Sequence, residues 1–384
     1  MLALPATHAI LALLGNVALL LWGVHMVRSG VLRAFGGDLR SFLGRALHNR
    51  LHALLAGLAV TLALQSSTAT ALMATSFVGG GVIGLVPALA VMLGANIGTA
   101  LVTWALSFDV TLLVSVLLLA GLVTFRSSAR SRTRNLGRAL IGLGLMLLAL
   151  HLLVATIHTD AVGVQGRQMI AALTREPLIV VLLAALAAWI MHTSIAPVLL
   201  TASLAAAGLV TPVASLAMVL GANLGTAITP LVNALSGDRT ALRLPLGNLV
   251  TRSVGLALAL PFLPEIATAI MGEVPAPGRL PILFHLLFNT ILALAFLPLL
   301  TGFGRLLERL LPARPNPADP STPRYLDPAS LAEAPVALAN AAREALRMAD
   351  VVEAMLQGSR QLLAQDDRRL VADLRRMDDV LDRL

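Results

Sequence analysis

The sequence predicts an all-α polytopic membrane protein: two inverted repeats, each with a re-entrant helical hairpin, followed by a short cytoplasmic helical tail. Three observations predict it. Hydrophobic residues fill 57% of the 384 positions and charged residues 12%, whereas a soluble domain is charged at about a quarter of its positions. Several segments, residues 82–107 and 281–300 among them, carry no charge over the ~20 residues that a membrane-spanning helix needs. Finally, "LAVMLGANIGTALV" at 89–102 returns as "LAMVLGANLGTAIT" at 216–229, an offset of 127 (216 − 89).

Composition removes several classes of function. All 28 basic residues are arginine, and the pI is about 11.4. The arginines cluster between apolar segments, where membrane topology places them, so the basic balance points to a lipid bilayer and not to nucleic acid. No cysteine is present, which excludes disulfides, thiolate catalysis and Cys-ligated metals. The first apolar stretch, 9–27, lacks a basic leader and a small-residue cleavage site, and reads as a retained helix.

The offset extends backwards without a gap. Gln65-Ser66-Ser67-Thr68 falls on His192-Thr193-Ser194-Ile195, Ser76 on Ser203, Gly81 on Gly208 and Val86 on Val213. Two related halves of this size in a membrane protein frame one binding site near the midplane. Charge supplies the topology. Arg28, Arg33, Arg40, Arg45 and Arg50 form one basic loop, and Arg126, Arg130, Arg132, Arg134 and Arg138 another; both belong on the cytoplasmic side. Three full crossings between them would separate them, and two do not fit within residues 51–80. That segment is therefore expected to enter, turn at "QSST" and return through Gly79-Gly80-Gly81. The second half is expected to place 139–157 as an outward span, 158–177 as an outer loop, 178–208 as a hairpin from outside, 212–235 inward, and 245–261 outward to a loop carrying Glu265 and Glu273. Residues 281–300 then return to a basic tail.

The chemistry follows from which polar groups lie inside. The acids Asp38, Asp109, Asp160, Glu176, Asp238, Glu265 and Glu273 fall in loops or at span edges. The interior set is Gln65, Ser66, Ser67, Thr68, Thr70, Asn96, Thr99, Thr193, Ser194, Asn223 and Thr226, all neutral. A cationic substrate would call for an acidic counter-ion. An anion suits hydroxyl and amide donors beside broken-helix N-termini, and a hard cation such as Na⁺ on nearby oxygens relieves the cost of burying it. Competing readings are bland. Ser and Thr bond to the preceding turn or glue helices together, and GAN-x-GT can be close packing through its glycines. His192 is either a satisfied core histidine or a pH-sensitive binding group. Arg252 either snorkels or faces the anion. His285 and Asn289 read as interhelical glue. A hydrolase using Ser66 or Ser67 with His192 lacks the carboxylate that would orient the imidazole.

"LLAGLAVTLALQSSTATAL", "LAVMLGANIGTA", "LAMVLGANLGTA" and "FHLLFNTILALAFLPL" resemble the Na⁺/phosphate cotransporter family over about residues 10–303. The resemblance implies Na⁺-driven phosphate transport by alternating access in the bacterial inner membrane, with no cofactor beyond Na⁺ as coupling ion. It places inorganic phosphate on Gln65, Ser66, Ser67, Thr193 and Ser194 and Na⁺ on nearby oxygens; with the reading of the residues above, the phosphate candidates extend to Thr68, His192 and Arg252, and the Na⁺ candidates are Gln65, Thr70, Asn96, Thr99, Ser194, Asn223 and Thr226. His192-Thr193-Ser194 departs from the family's Gln-Ser-Ser, which leaves proton coupling as an alternative; another oxyanion, since hydroxyl donors do not encode phosphate uniquely, and a phosphate-sensing role are two more. Assembly with a second copy of the chain stays open. The transport domain is expected over 1–311, with repeat one about 51–125 and repeat two about 178–262. A Pro-rich linker, 312–328, leads to a helical segment, 329–384, that resembles the start of a PhoU-like domain and is long enough for about two helices.

Overall fold

The computed structural model describes residues 5–45, 49–80, 83–108, 111–127, 130–158, 174, 176–235, 239–274, 276–312, 321, 323–326, 334–364 and 368–382. They are all-helical, with no strand among the described residues. Six segments are long and apolar enough to cross a membrane: Leu14–Leu39, Leu85–Leu106, Ser131–Leu153, Pro212–Ala234, Arg239–Glu273 and Pro277–Phe296. This is an all-α polytopic membrane protein. The chain divides into two compact units, Met1–Ala313 and Arg314–Leu384.

In the first unit, α1 (Pro5–Arg45), α5 (Thr111–Ser127) and α6 (Ser131–His158) are joined through glycines. A Cβ on Gly23 or Gly30 of α1 would collide with Met146 or with Asn135 and Ala139 of α6, and one on Gly121 with Ile141. Such close approach is how helices associate where lipid offers no hydrophobic drive. The first repeat is α2 (Arg50–Leu64), α3 (Ser67–Gly79) and α4 (Leu85–Leu106); the second is α7 (Pro177–Met191), α8 (Ile195–Ala206) and α9 (Pro212–Ala234). Then come α10 (Arg239–Ala259), a 3₁₀ turn, α11 (Leu263–Glu273), a second 3₁₀ turn (Pro277–Arg279), α12 (Leu280–Phe296) and α13 (Leu300–Leu310). At about 1.5 Å per residue, α2 and α3, of 15 and 13 residues, are each too short for a hydrocarbon core of about 30 Å.

Helix directions follow from which residues meet. Gly94 abuts the Leu54 carbonyl and Gly98 abuts Leu58 and Thr61, so α2 and α4 run the same way. Thr61 Oγ1 lies 2.8 Å from Thr70 Oγ1, so α3 folds back beside α2 as a hairpin. The second repeat reproduces these contacts 127 residues on (221 − 94): Gly221 abuts Val181 and Gly225 abuts Ala185. A cavity lined by Pro177 and by Gly208 through Ala214 brings the end of α8 back to the start of α7, closing the second hairpin. Helix α10 runs with α4, Gly247 against Leu89 and Arg252 against Asn96, and runs back along α9, where Arg252 reaches Thr226. The two GAN-x-GT helices, α4 and α9, are therefore antiparallel, and the repeats are inverted.

Several expectations about boundaries are corrected. Arg28, Arg33, Arg40 and Arg45 lie within α1 and not in a loop, because Gly23 and Gly30 pack against α6 and do not break the helix, and Arg50 begins α2. Arg126 ends α5, and Arg132, Arg134 and Arg138 lie in the first turns of α6. The 245–261 span begins earlier, at Arg239, with Pro245 inside it. Glu265 and Glu273 sit on α11, not in a loop. Pro261 and Pro264 stand at helix-initiating positions, where the missing N–H is an orphan in any case, and Leu263, Ala267 and Ile270 bury one face of α11. Helix α13 was not anticipated, although "LTGFGRLLERL" buries Leu300, Gly304 and Leu307 at helical spacing. Gly81 and, of the outer loop expected at 158–177, residues 159–173 and 175 lie outside the described residues.

The second unit contains α14 (Ala334–Ala364) and α15 (Arg368–Leu381), which pack where Gly358 meets Leu374. Glu344 on α14 accepts from the backbone amides of Arg324 and Tyr325, each at 2.8 Å, and from Arg347 at 2.6 Å. Burial disfavours the charged carboxylate, but these three donors outweigh that and hold the Glu344 carboxyl below the usual glutamate range.

Candidate functional site

The hairpin tips are built by backbone strain. Gln65 closes α2 with φ 51° and ψ 32°; His192 closes α7 with φ 53° and ψ 27°. Among the described residues these are the non-glycine residues with positive φ. They occupy equivalent positions of the repeat (192 − 65 = 127). A side chain in the left-handed region costs about 1–2 kcal/mol, so both tips hold this conformation against local preference. The effect is to end one helix and start the next within two or three residues, aiming a fresh N-terminus at the break.

The capping chemistry of the tips differs. Ser66 is the N-cap of α3 and accepts from the Ala69 amide at 3.2 Å. Ser67 and Thr68 stand in the first turn, and Thr70 Oγ1 bonds both Thr61 Oγ1 and the Ser66 carbonyl. In the second tip Thr193 Oγ1 accepts from the Ile195 amide at 3.2 Å, while Ser194 makes no capping bond. Pro197 takes the place of Thr70 (197 − 70 = 127) and supplies no amide. Ser66, Ser67, Thr68, Thr70, Thr193 and Ser194 are all buried. The Gln65 Oε1 is buried without a hydrogen-bond partner.

The tips touch. Thr68 Oγ1 donates to the His192 carbonyl at 3.4 Å, across the two repeats. Residue His192 is exposed, and its Nδ1 lies 3.1 Å from Thr229 Oγ1 on α9. It is thus the backbone of His192 that faces the first tip, while the ring bonds Thr229 and neither Ser66 nor Ser67.

One helical turn from the tips lies a second polar layer. Arg252 on α10 is 3% exposed and is the buried charged residue of the first unit, among the described residues. Its Nη2 donates to Asn96 Oδ1 at 2.5 Å; its Nη1 donates to Thr226 Oγ1 at 2.5 Å and to the Asn223 carbonyl. Asn96 Nδ2 donates to Asn248 Oδ1, and Asn289 Nδ2 donates to Asn223 Oδ1, each at 3.1 Å. Thr99 Oγ1 bonds back to the Ala95 carbonyl. His285 Nδ1, Asn289 Oδ1 and Arg252 Nε are buried without partners. The layer is one network through both repeats, centred on a guanidinium that does not snorkel. Thr226 and Thr229 stand three residues apart on α9, linking Arg252 to the second tip. Asn96 stands two residues before Gly98, which abuts Thr61 and through it Thr70 at the first tip.

The sequence picked out these residues but not how they connect. It gave no sign that Arg252 would bridge Asn96 to Asn223 and Thr226. Its repeat equivalent is Phe125 (252 − 127), so symmetry offered no guide. Asn289, read as interhelical glue, does join α12 to α9, whereas Asn248 was missed: one amide on an apolar helix carries no local signal.

Inverted repeats, broken-helix tips meeting inside the bundle and a buried polar lining define the class: a transporter type of membrane protein. The chain belongs to the Na⁺/Pi-cotransporter family, whose profile matches residues 19–155 and 154–271. It is 40% identical over 374 residues to the "Putative inorganic phosphate export protein YjbB" of Salmonella typhimurium, covering 97% of this chain and 68% of the relative. The protein of that name from Escherichia coli K12 is 40% identical over 363 residues, 94% of this chain and 66% of the relative. An uncharacterized protein, YqeW of Bacillus subtilis, is 28% identical over 311 residues, 79% of this chain and 100% of its own length. The chain thus spans about two thirds of the length of the export-named relatives. No solved structure matches it.

Proposed function

We propose that this chain carries inorganic phosphate across the membrane by alternating access, with the two hairpin tips as the anion site and Na⁺ as coupling ion. The observation that carries the reading is the meeting of two strained, buried, uncharged helix starts beside a buried guanidinium. Helix N-termini favour anions by up to ~2 kcal/mol each when partly buried. The hydroxyls of Ser66, Ser67, Thr68, Thr193 and Ser194 add neutral donors. Arg252, one turn away, balances charge that would otherwise be costly in a low-dielectric interior. For Na⁺, Gln65 Oε1 is the best-placed oxygen because nothing else occupies it. Thr70, Thr99 and Ser194 are further candidates, whereas Asn96 and Thr226 already accept from Arg252.

The relatives named for phosphate export favour outward net flux in the cell, across a bacterial inner membrane with α14 and α15 cytoplasmic and PhoU-like. The hairpins would be re-entrant, and the repeats would move against the layer formed by α1, α5 and α6. The test is radiolabelled phosphate flux in proteoliposomes under a Na⁺ gradient, against choline. Na⁺-stimulated flux that falls about tenfold in Ser67→Ala, the scale of a lost hydrogen bond to a charged group, is expected. Flux that ignores Na⁺ and follows pH would replace the coupling ion with the proton and turn attention to the His192–Thr229 pair. No flux from folded protein under either gradient would refute the reading.

A further inference from the structure

The buried guanidinium poses a question that the anion site does not answer. Its partners are one amide carbonyl, one hydroxyl and one main-chain carbonyl, contributed by both repeats: Asn96 Oδ1, Thr226 Oγ1 and Asn223 O. Buried charges are ordinarily paired with an opposite charge, yet no carboxylate bonds Arg252 among the described residues, and the side chain is 3% exposed. A converging set of neutral oxygens from two helices is instead the kind of cage that takes a hard monovalent cation in transporters with inverted repeats.

We propose that Arg252 is a tethered cation holding a coupling-ion position between the repeats, so that one mobile Na⁺ is dispensed with. The inference rests on the oxyanion-transport reading and deepens it. Three features support it beyond the cage. The guanidinium is always charged, so the position is filled at every pH and Na⁺ concentration. It is present once: the repeat equivalent of Arg252 is Phe125, on α5 where Gly137 of α6 abuts it, so Asn96 of the first repeat and Asn223 and Thr226 of the second share one built-in charge. And Asn248, on α10, accepts from Asn96 Nδ2 at 3.1 Å, which turns Asn96 Oδ1 to the cation, while Asn289 on α12 occupies Asn223 Oδ1 and Arg252 takes the Asn223 main-chain carbonyl. A tethered cation also lets the anion bind and leave with less Na⁺, which suits a protein that must release its cargo toward a Na⁺-rich side.

The test compares wild type with Arg252→Ala, Arg252→Gln and Arg252→Lys, in proteoliposomes and in detergent. In flux assays, Arg252→Ala and Arg252→Gln are expected to acquire a steeper Na⁺ dependence, with flux about tenfold down in choline, the scale of a lost charged hydrogen bond, and partly restored by high Na⁺. Arg252→Lys is expected to keep the wild-type Na⁺ curve. In detergent without phosphate, NaCl against choline chloride should raise the melting temperature of the neutral variants more than that of wild type. Unchanged Na⁺ curves and an unchanged Na⁺-induced thermal shift in both neutral variants would overturn the inference, whatever happens to flux. So would failure of both neutral variants to fold in Na⁺ while Arg252→Lys folds without it and shows a larger Na⁺-induced shift than wild type. The thermal shift needs no phosphate, so a wild type without phosphate flux would sink the transport reading and leave the cation position separately decided.

Discussion

The two hairpin tips have one backbone and two chemistries. Gln65 and His192 share a left-handed conformation to within a few degrees, 51° and 32° against 53° and 27°, and the helices behind them cross at equivalent glycines, Gly94 and Gly221. Their side chains diverge. The first tip offers Ser66 as a full N-cap, an unpartnered Gln65 amide oxygen and the Thr61–Thr70 pair. The second offers a Thr193 cap, a Pro197 that removes an amide, and an imidazole turned to Thr229. What duplication has kept is the break itself, together with the close crossing that holds it. What each tip binds has been free to drift, and the drift makes the first tip the richer in donors.

The widest effect is expected where the two repeats are still alike. Gly94→Ala and Gly221→Ala should each destabilise the first unit by about 3 kcal/mol, the upper part of the overpacking range, because the new methyl meets backbone and not a movable side chain. Thermal melts in detergent would show it. Asymmetry appears one turn away. Gly57 abuts Val91, but its repeat equivalent is Ala184, so Gly57→Ala should be damaging and Ala184→Gly should cost about 1 kcal/mol or less. Equal tolerance at Gly94 and at an exposed helix position would break the shared-scaffold half of the comparison.

A smaller effect separates the tips. Gln65→Gly removes the left-handed strain and should stabilise by about 1 kcal/mol. His192→Gly removes the same strain but also the Thr229 hydrogen bond, worth about 1 kcal/mol, and should be close to neutral. Equal gains in melting temperature would mean that the His192–Thr229 bond contributes nothing.

The smallest effect lies outside both tips. Glu344 has its carboxyl pKa lowered in the folded chain. A depressed acid contributes stability that is present above its unfolded value and is lost as pH falls through the folded one. The protection of the Arg324 and Tyr325 amides from hydrogen exchange, taken relative to the intrinsic rate at each pH, should therefore be high at neutral pH and fall on acidification to below the ordinary glutamate range. In Glu344→Gln the protection should be low and independent of pH.

Much of this was legible in the sequence, for a physical reason. Duplication leaves a fixed offset, and glycines at a crossing cannot be replaced without collision, so "LGAN-x-GTA" marked both the repeat and its tightest contact. The polar clusters marked the tips because a broken helix in an apolar segment needs local donors and acceptors. Other parts were hidden. Arginine and proline have two meanings: Arg28 and Arg33 read as loop residues but lie in α1, whose Gly23 and Gly30 pack on α6, and Pro261, read as the end of a span, stands at the start of a 3₁₀ turn. Arg252 was visible as a charge in an apolar stretch. Its partners come from α4 and α9, 156 and 26 to 29 residues away in the chain, and no local pattern predicts such a meeting.

The central claim is that both tips hold one anion. Phosphate binding to purified protein in Na⁺, measured for wild type, Ser67→Ala, Ser194→Ala and the double variant, closes a cycle around it. Two hydroxyls on one phosphate should be coupled, with the double variant departing from additivity by about 1 kcal/mol and Ser67→Ala the more harmful single change. Losses that add to within about 0.3 kcal/mol would mean that the tips act on separate ligands, and would contradict the single site.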